Sequence, residues 1–480
     1  MRDMEVDKEN ARSGPSGVEE RAYPPVNSST PSRKATDDDQ QAFSPELLRI
    51  YYARLFPYEQ MHRWLGYSNL PATLPDADGK TVVEEQTDLF FKREFSFTIE
   101  DDVYIRYQCF ADQREFEQQV QRKQPHKIDI GAVFNVPPKN HLAVKAGAFQ
   151  PVERELVFDI DLTDYDDVRT CCSGAKICER CWAYMTMAVE VMDAGLRQDF
   201  GFKHILWVYS GRRGVHCWVA DDAARALTNE GRSAVADYFS VTAGNDNQAK
   251  KVNITLPIHP SLRRAYGILE PLFLEHIITD KGQGLLSSSS QWGKVLATVP
   301  EDVRETLDSR WRMEESAEEE RWQELLEEME KKSAKDRKQQ GSKKMKSGER
   351  FSEEQWRYEL IFEYSYPRLD VNVSKGRNHL LKSPFAVHPK TGRVCVPIDP
   401  AHVRDFDPFA VPTLGQLTRQ IDQYDKEHGE EAKHVSASDK TDMKEYVARF
   451  EDTFLKGLYK GIRIKRKEMA ERISAITTDF

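Results

Sequence analysis

The 480-residue sequence has no apolar run long enough to cross a bilayer, because a membrane-spanning helix needs about 20 consecutive apolar residues. Its N-terminus is polar and acidic and lacks the apolar centre of a secretory signal. Cysteine is scarce, at seven residues, and four of the seven are crowded together, which argues against a disulfide framework. These absences predict a soluble protein of a reducing, intracellular setting, large enough for two or three compact units.

Net positive charge is missing as well, since the formal net charge is −10. Such a total argues weakly against a nucleic-acid-binding protein, but affinity for a polyanion depends on the local field. Residues 200–220 contain three basic residues and no acid. Residues 366–393 contain six basic residues, and Asp370 is the only acid among them. The sequence therefore predicts two cationic segments on an acidic chain.

The order of the sequence patterns predicts a mixed α/β protein in which helices interrupt a sheet-containing core. Residues 1–43 are rich in polar and acidic residues without an apolar period, so we expect a disordered tail. The first part of the core is expected at 44–240, a helical subdomain at 241–355, and the rest of the core with C-terminal helices at 356–480. The sequence has no internal repeat.

Apolar periodicity predicts individual elements within these parts. Helices are expected at 48–69, 182–199 and 412–475. Strands are expected at 95–98, 103–109, 127–133, 155–162, 205–210, 215–220, 366–373 and 393–398. A charge block at 301–350 begins with thirteen acids and four bases up to residue 330 and continues with nine bases and two acids. Such a block is typical of a solvated helix or a disordered insertion.

Two carboxylates stand in an otherwise apolar strand pattern. Asp159 and Asp161 alternate with Phe158 and Ile160, so on a strand both acids project from one face. Aligned carboxylates repel each other and are costly to bury, and a divalent cation removes that cost. The pair predicts a Mg²⁺ or Mn²⁺ site for phosphoryl or nucleotidyl transfer. The alternative is turn chemistry at a strand end, where Asp-x-Asp also occurs.

A third acid, Asp370, has a similar context in the alternating run RLDVNV at 368–373. On a strand, Arg368, Asp370 and Asn372 would share one face. Three strand carboxylates can hold a pair of hard cations, so Asp370 is a candidate ligand beside the first two acids. The alternative is an ordinary surface face with an Arg–Asp pair.

The segment SGRRGVH at 210–216 predicts a tight turn that binds phosphate. Its two glycines permit a close approach of the backbone to a ligand. Ser210 and backbone N–H groups can donate to phosphate oxygens, Arg212 and Arg213 supply planar charged forks, and His216 adds a donor. The alternative is a surface hairpin with incidental arginines. A further donor-rich segment, 375–390, contains no acid and suits a triphosphate or a template backbone.

Four cysteines form the pattern CC-x5-C-x2-C. The C-x2-C half, Cys178 and Cys181, has the spacing of a zinc knuckle, while the adjacent pair Cys171 and Cys172 is less usual. A four-thiolate site is closed and therefore structural. We expect Zn²⁺ here, holding the loop after the carboxylate strand, and the alternative is four free thiols.

Several long motifs, in order, resemble the catalytic (small) subunit of eukaryotic DNA primase. They are REFSFTIEDDVYIRYQCF at 93–110, KIDIGAVF at 127–134, LVFDIDLTDYDDVRTCCSGAKICERCW at 156–182, YSGRRGVHCWV at 209–219 and YPRLDVNVSKGRNHLLKSPFAVHPKTGRVCVPID at 366–399. The resemblance is close over about 46–240 and 355–410. It is looser in the helical segment and absent from the N-terminal tail.

The resemblance implies a prim fold: a mixed α/β catalytic core with an inserted helical subdomain. It implies synthesis of short RNA primers from NTPs on single-stranded DNA by two-metal nucleotidyl transfer. It implies that Asp159, Asp161 and Asp370 bind the catalytic metals and that the four cysteines bind zinc. The nucleotide-binding residues that it implies are Ser210, Arg212, Arg213, His216, Lys382, His388, Arg106, Lys127, Asp129 and, more weakly, Glu94.

The resemblance also implies partners: a large primase subunit with an iron–sulfur cluster, the DNA polymerase α assembly in the nucleus, and no membrane. Three other functions remain open from the residues. One is a related primase–polymerase that uses dNTPs in repair or damage bypass. Another is a metal-dependent nuclease or phosphatase, which would not need a cradle for a triphosphate. The last is a non-catalytic nucleic-acid binder.

Overall fold

The computed structural model describes residues 43–67, 73–75, 81–83, 89–145, 147–241, 252–339 and 352–478. The expected disordered tail lies outside the described residues, apart from Phe43, and so does the end of the charge block from residue 340. The division of the chain at residues 240 and 355 stays a prediction. The described part combines many helices with antiparallel sheets, which confirms the mixed α/β class.

The first sheet is antiparallel, and its long strand β5 pairs with β3, β6 and β10. Strand β4 is added at the outer edge of β3. Its strands are β3 (Arg93–Thr98), β4 (Tyr104–Gln108), β5 (Lys127–Phe134), β6 (Pro151–Glu153) and β10 (Leu381–Lys382); a separate pair is formed by β1 (Thr73–Pro75) and β2 (Thr81–Val83).

The second sheet has four antiparallel strands in the order β11-β8-β9-β7. They are β7 (Leu156–Asp161), β8 (Ile205–Tyr209), β9 (Gly214–Val219) and β11 (Pro397–Ile398). The register of β7 and β9 places Asp159 opposite His216 and Asp161 opposite Gly214. The carboxylate strand and the turn between β8 and β9 therefore meet at one end of this sheet.

The helices occupy the sequence before, between and after the strands. They are α1 (Pro45–Arg54), α2 (Tyr58–Gly66), α3 (Gln113–Lys123), α4 (Glu179–Gln198), α5 (Asp222–Ala226), α6 (Asn229–Tyr238), α7 (Pro260–Phe273), α8 (Ser289–Leu296), α9 (Glu301–Met313), α10 (Glu318–Gln339), α11 (Glu353–Ser365), α12 (Val371–Lys375), α13 (Leu414–His428), α14 (Met443–Arg449) and α15 (Lys456–Thr478). Among the described residues, no helix is apolar over enough of its length to span a membrane.

The first helices show how local sequence sets their ends. Ser44 accepts a hydrogen bond from the N–H of Leu47, and Pro45 follows at the first helical position, as an N-terminal cap requires. The single helix expected at 48–69 is wrong, because the chain breaks before Pro57 and restarts as α2. Proline lacks the N–H that a continuous helix needs there.

The charge block, over the described residues 301–339, consists of the helices α9 and α10 with a short break at 314–317. Both α9 and α10 bury one apolar face, which includes Trp311 and Trp322 at 2% and 5% exposure. Their acids and bases occupy the remaining surface, so the block is an amphipathic helix pair and not a fully solvated one.

The strand expected at 366–373 is wrong. Residues 366–370 have no regular structure, and α12 begins at Val371. The alternating apolar side chains matched a strand period, but the Asp370 side chain caps the short helix by accepting from the N–H of Asn372 at 3.1 Å. The strand expected at 393–398 is reduced to β11 and to isolated bridges at Arg393 and Val394.

Candidate active site

Strand β7 presents Asp159 and Asp161 from one face, as their alternation predicts. Their side chains are 31% and 32% exposed, while Phe158 and Ile160 are fully buried. The apolar face packs into the core and fixes the strand. The two carboxylates are thereby held side by side at the surface of a cavity.

Asp370 is brought to the same place by a backbone contact. Its N–H donates to the carbonyl oxygen of Asp159 at 3.1 Å. The N–H of the nearby Arg368 donates to the Tyr165 hydroxyl at 3.0 Å, so the segment before α12 is pinned along the end of β7. The backbone of Asp370 therefore lies beside that of Asp159, at a helix start and not on a strand, but Asp370 is not among the residues that line the cavity with Asp159 and Asp161.

Burial, followed by the charges of Asp161 and Asp370, raises the pKa of Asp159 to about 7. A fourth carboxylate, Asp164, lies in the turn after β7, and burial with the same two neighbours raises its pKa to about 6. Such mutual repulsion is relieved by a cation, and oxygen ligands of this kind suit Mg²⁺ or Mn²⁺. The residues present therefore fit a hard divalent cation.

Cationic side chains face the carboxylates. The Nε atom of Arg213 contacts both carboxylate oxygens of Asp161, at 2.7 and 2.8 Å. The Nε2 atom of His216 lies 3.5 Å from Asp159, and burial followed by the charge of Lys382 lowers the pKa of His216 to about 3. A cation bound at Asp161 would replace Arg213 as the positive partner of that carboxylate. The Arg213 guanidinium would then be free to bind a different anion.

The turn between β8 and β9 is built by its own hydrogen bonds. The hydroxyl of Ser210 accepts from the N–H of Gly214 at 3.0 Å, and the Lys382 ammonium donates to the Ser210 carbonyl at 3.0 Å. Gly211 has φ of +85°, which a residue with a Cβ adopts at a cost. This turn holds Arg212 and Arg213 beside β10 and the carboxylates.

Eleven of the thirteen predicted catalytic and nucleotide-binding residues line one cavity of about 650 Å³. They are Arg106, Lys127, Asp129, Asp159, Asp161, Ser210, Arg212, Arg213, His216, Lys382 and His388. Thr98, Tyr104, Asn378 and His379 also line it and were not predicted. A single cavity is thus lined by both carboxylates and basic side chains, and its lining residues come from both sheets.

The His388 ring is oriented by the backbone. Its Nδ1 atom lies 3.2 Å from the N–H of Lys390 and accepts from it. A neutral ring then carries its proton on Nε2, which is left to donate to a ligand. Burial and the charges of Lys382 and Arg212 lower the pKa of His388 to about 3, so the ring is neutral in the free protein.

The first sheet supplies the other wall of the cavity. Burial raises the pKa of Asp129, whose carboxylate accepts from Ser96 at 3.2 Å. Glu94 is fully buried and accepts from Arg106 at 2.9 and 3.1 Å, so it orients that arginine and does not line the cavity. Any role of Glu94 in nucleotide binding would therefore act through Arg106.

The four predicted cysteines converge. Their sulfur atoms lie within 4.8 Å of one another, and none forms a disulfide. The Nη1 atom of Arg169 lies 3.9 Å from the Cys181 sulfur, and its buried guanidinium offsets thiolate charge. Four sulfurs at this spacing fit a soft or borderline divalent metal.

Two further features of the sites were missed by sequence reasoning. Asp164 stands three residues after Asp161 in DIDLTD, a spacing that would have signalled it, because one turn of 3₁₀-helix returns a side chain to the same side. Gln283, which contacts the cysteine cluster, lies in a segment with no motif and gave no signal in the sequence.

Comparison with known proteins adds independent findings. The sequence profile of the DNA primase small subunit family matches residues 158–400. A DNA primase small subunit of Drosophila melanogaster is 40% identical, with 87% of this chain and 93% of that protein covered. One from Schizosaccharomyces pombe is 36% identical, with 81% of each chain covered.

A solved polymerase domain of Mycobacterium tuberculosis Ligase D in complex with DNA aligns with 78% of this chain and 89% of its own. Its sequence identity is 13% and its TM-score 0.32, too low to carry an argument about this chain. The profile and the relatives are sufficient by themselves. The chain belongs to the DNA primase small subunit family.

Proposed function

We propose that this chain joins ribonucleoside triphosphates into short RNA primers on single-stranded DNA at the start of DNA replication. As a DNA primase it is a nucleotidyltransferase. The observation that carries the proposal is the single cavity in which Asp159 and Asp161 face Arg212, Arg213 and His388. Metal-dependent hydrolysis would not need that basic wall, whereas transfer from a triphosphate has to hold and neutralise pyrophosphate.

Asp159, Asp161 and Asp370 are proposed to hold the catalytic Mg²⁺ or Mn²⁺. Bound cations of this kind lower the pKa of the attacking 3′-hydroxyl and stabilise the leaving pyrophosphate. The raised pKa of Asp159, caused first by burial and then by the charges of Asp161 and Asp370, supports the assignment, because a bound cation would stabilise the ionised carboxylate. Arg213, once released from Asp161, is placed to contact a phosphate.

The chain's own donors are proposed to orient the triphosphate. Arg212 and Lys382 contribute permanent charge, and His388 contributes a neutral N–H from its Nε2 atom. His216, buried beside Asp159 and neutral, is a further donor toward the phosphates. Charge that develops on the leaving group thus meets fixed positive partners, which need no reorganisation during the reaction.

Arg106, Lys127 and Asp129 are proposed to contact the sugar or base end of the nucleotide. They lie on the first sheet, across the cavity from the phosphate-binding turn. Glu94 keeps the Arg106 guanidinium in place through two hydrogen bonds. In the first condensation, a second nucleoside triphosphate supplies the attacking hydroxyl.

Zn²⁺ is proposed for the four cysteines, in a structural role. The cluster closes the loop between the turn after β7 and the start of α4, and Cys178 is the cap residue of that helix. A metal held there would fix the segment that carries Asp164 and Tyr165.

Partners are proposed from family membership. The relatives are named small subunits of DNA primase, which implies a complex with another subunit. We propose a large primase subunit with an iron–sulfur cluster, within the polymerase α assembly, in the nucleus. The net charge of −10 is consistent with a partner that supplies much of the grip on the template.

The test is incorporation by the purified chain on a single-stranded DNA template. Labelled ribonucleotides and deoxynucleotides are compared, with and without Mg²⁺ or Mn²⁺. We expect metal-dependent RNA products, and ribonucleotides preferred for the first dinucleotide. Efficient starts with deoxynucleotides would favour a primase–polymerase of repair, and hydrolysis without templated synthesis would refute the proposal.

A further inference from the structure

The carboxamide of Gln283 reaches the cysteine cluster from a distant segment. Its Nε2 atom donates to the Cys171 sulfur at 3.6 Å and to the carbonyl of Arg180 at 3.1 Å. Its Oε1 atom accepts from the N–H of Thr170 at 2.7 Å. The side chain is only 3% exposed, so one buried amide joins both ends of the cysteine loop.

The turn that carries Gln283, residues 279–284, is itself firmly built. The N–H of Gln283 donates to the carbonyl of His276 at 2.9 Å, and the N–H of Gly284 donates to that of Thr279 at 2.7 Å. The turn follows a π-helical segment, Leu274–Ile278, that continues from α7, and the carbonyl of Leu286 just after the turn accepts from Arg321 of α10 at 2.9 Å. Gln283 therefore connects the cysteines to a rigid part of the helical segment.

Backbone contacts add to this junction. The Arg180 side chain donates to the carbonyl of Gly282, and the Thr170 hydroxyl donates to the Gln283 carbonyl at 2.6 Å. A Cβ at Gly282 would lie 2.0 Å from the carbonyl oxygen of His276, so the turn requires glycine there to reach the cysteine loop. The turn and the loop are thus complementary at the level of the backbone.

A thiolate is a stronger hydrogen-bond acceptor than a thiol, because the acceptor is charged. Metal binding keeps the cysteine sulfurs as thiolates and so strengthens the Gln283 contact. By linkage, the contact must in return strengthen metal binding. Outer-shell partners of metal ligands act in this way in other sites.

We propose that Gln283 is a positioning residue of the metal centre and couples metal occupancy of the cysteines to the 279–284 turn and α7. The inference rests on the metal assignment proposed above. It predicts that loss of the metal speeds hydrogen exchange in a segment distant in sequence from the cysteines. It also predicts that loss of the amide donor speeds release of the metal.

The first test is the rate of metal transfer from the zinc-loaded chain to an excess of the chromophoric chelator 4-(2-pyridylazo)resorcinol. Gln283→Glu keeps the shape and the Oε1 acceptor but replaces the donor to sulfur by a carboxylate oxygen. We expect release about 10- to 100-fold faster than from the unsubstituted chain. A rate within about twofold of that chain would overturn the inference.

Two variants serve as matched controls. Thr170→Val removes the hydroxyl contacts to Gln283 but leaves the donor to Cys171, so we expect less than about threefold faster release. Gln416→Glu is the same substitution in α13, where Oε1 only accepts from Thr413 at 2.9 Å, and should leave release unchanged. Equal acceleration by Thr170→Val and Gln283→Glu would assign the effect to turn packing and overturn the proposed role of the amide.

A second measurement does not depend on a variant that folds. Amide hydrogen exchange of the unsubstituted chain is followed before and after zinc removal. We expect faster exchange in 276–286 and unchanged exchange in 205–219, the β8–β9 hairpin; unchanged exchange in 276–286 would overturn the coupling. Metal analysis separates the two proposals, since an unsubstituted chain that holds no metal refutes the metal assignment itself.

Discussion

The N–H of Asp370 donates a hydrogen bond of 3.1 Å to the carbonyl oxygen of Asp159. This contact joins the start of α12 to strand β7, two segments that are far apart in sequence. It fixes the position of the third acid by the backbone of the strand that carries the first two. The approach of the Asp370 backbone to Asp159 is thus a property of the fold and does not depend on the carboxylates.

The proposed phosphate-binding turn should tolerate no side chain at Gly211. Its φ is +85°, and an added Cβ would lie 2.7 Å from the Cβ of His388. We expect Gly211→Ala to raise the KM for NTP by at least about tenfold, because displaced phosphate donors are costly to binding. The KM is measured by steady-state primer synthesis.

Gly201→Ala is the matched control for that substitution. Gly201 also has a positive φ, +70°, but nothing lies within 4 Å of its added Cβ. Backbone strain alone should cost about 1 kcal/mol of stability and leave the KM unchanged. If both variants changed the KM equally, the close contact of Gly211 with His388 would have no role in binding.

His388 should act as a neutral donor. Since its Nδ1 accepts from the N–H of Lys390, only Nε2 is left to donate to phosphate. His388→Ala should raise the KM for NTP about 10- to 100-fold, the loss of a hydrogen bond to a charged group. His388→Gln keeps a donor and should recover part of that loss, whereas equal KM values for the two variants would contradict the assigned role.

The contribution of Asp159 to the stability of the protein without Mg²⁺ or Mn²⁺ should fall as the pH rises from about 4 to about 7, and comparison with Asp159→Asn separates it from the opposing titration of His216 and His388. Over this interval the folded chain retains a proton on Asp159, whose pKa is raised from 3.8 to about 7, while the unfolded chain has released it. Unfolding therefore releases a proton, and a higher pH favours it.

Asp159→Asn removes this titration. At pH 8 the variant should be more stable than the unsubstituted chain by roughly 1–3 kcal/mol, less than the full shift implies, because solvent screens a partly exposed carboxylate. Melting temperatures of the two proteins, measured from pH 5 to 8, test this expectation. Mg²⁺ and Mn²⁺ are first removed by dialysis without a chelator, because a chelator would also remove metal from the cysteines. Parallel pH profiles for the two proteins would contradict the assigned repulsion, and added Mg²⁺ should stabilise only the unsubstituted chain.

Sequence periodicity was sufficient to predict the secondary structure of segments whose hydrogen bonds are made within one sheet. The β8–β9 hairpin and strand β7 follow from their apolar patterns and from the two glycines of the turn, whereas the register that pairs Asp159 with His216 was not predicted. The spacing of the four cysteines predicted their convergence as well, because a short loop limits the distance between them.

Periodicity failed where a distant segment decides the local structure. The run at 368–373 alternates like a strand, but Asp370 bonds to β7 through its backbone and caps α12 through its side chain. Glu94 looked like a cavity residue, yet it is fully buried and its carboxylate is bonded to Arg106, which lines the cavity in its place. The contact of Gln283 with Cys171 depends on how the α7 turn packs, which no local pattern encodes.

The most direct test of the catalytic centre is dinucleotide formation by the Asp370→Asn chain. Asparagine is a good helix cap and keeps the backbone donor to Asp159, so the fold and the melting temperature should be preserved. With one metal-binding carboxylate removed, we predict that dinucleotide formation falls by at least ~10³-fold in Mg²⁺ or Mn²⁺. Synthesis close to that of the unsubstituted chain would contradict the account.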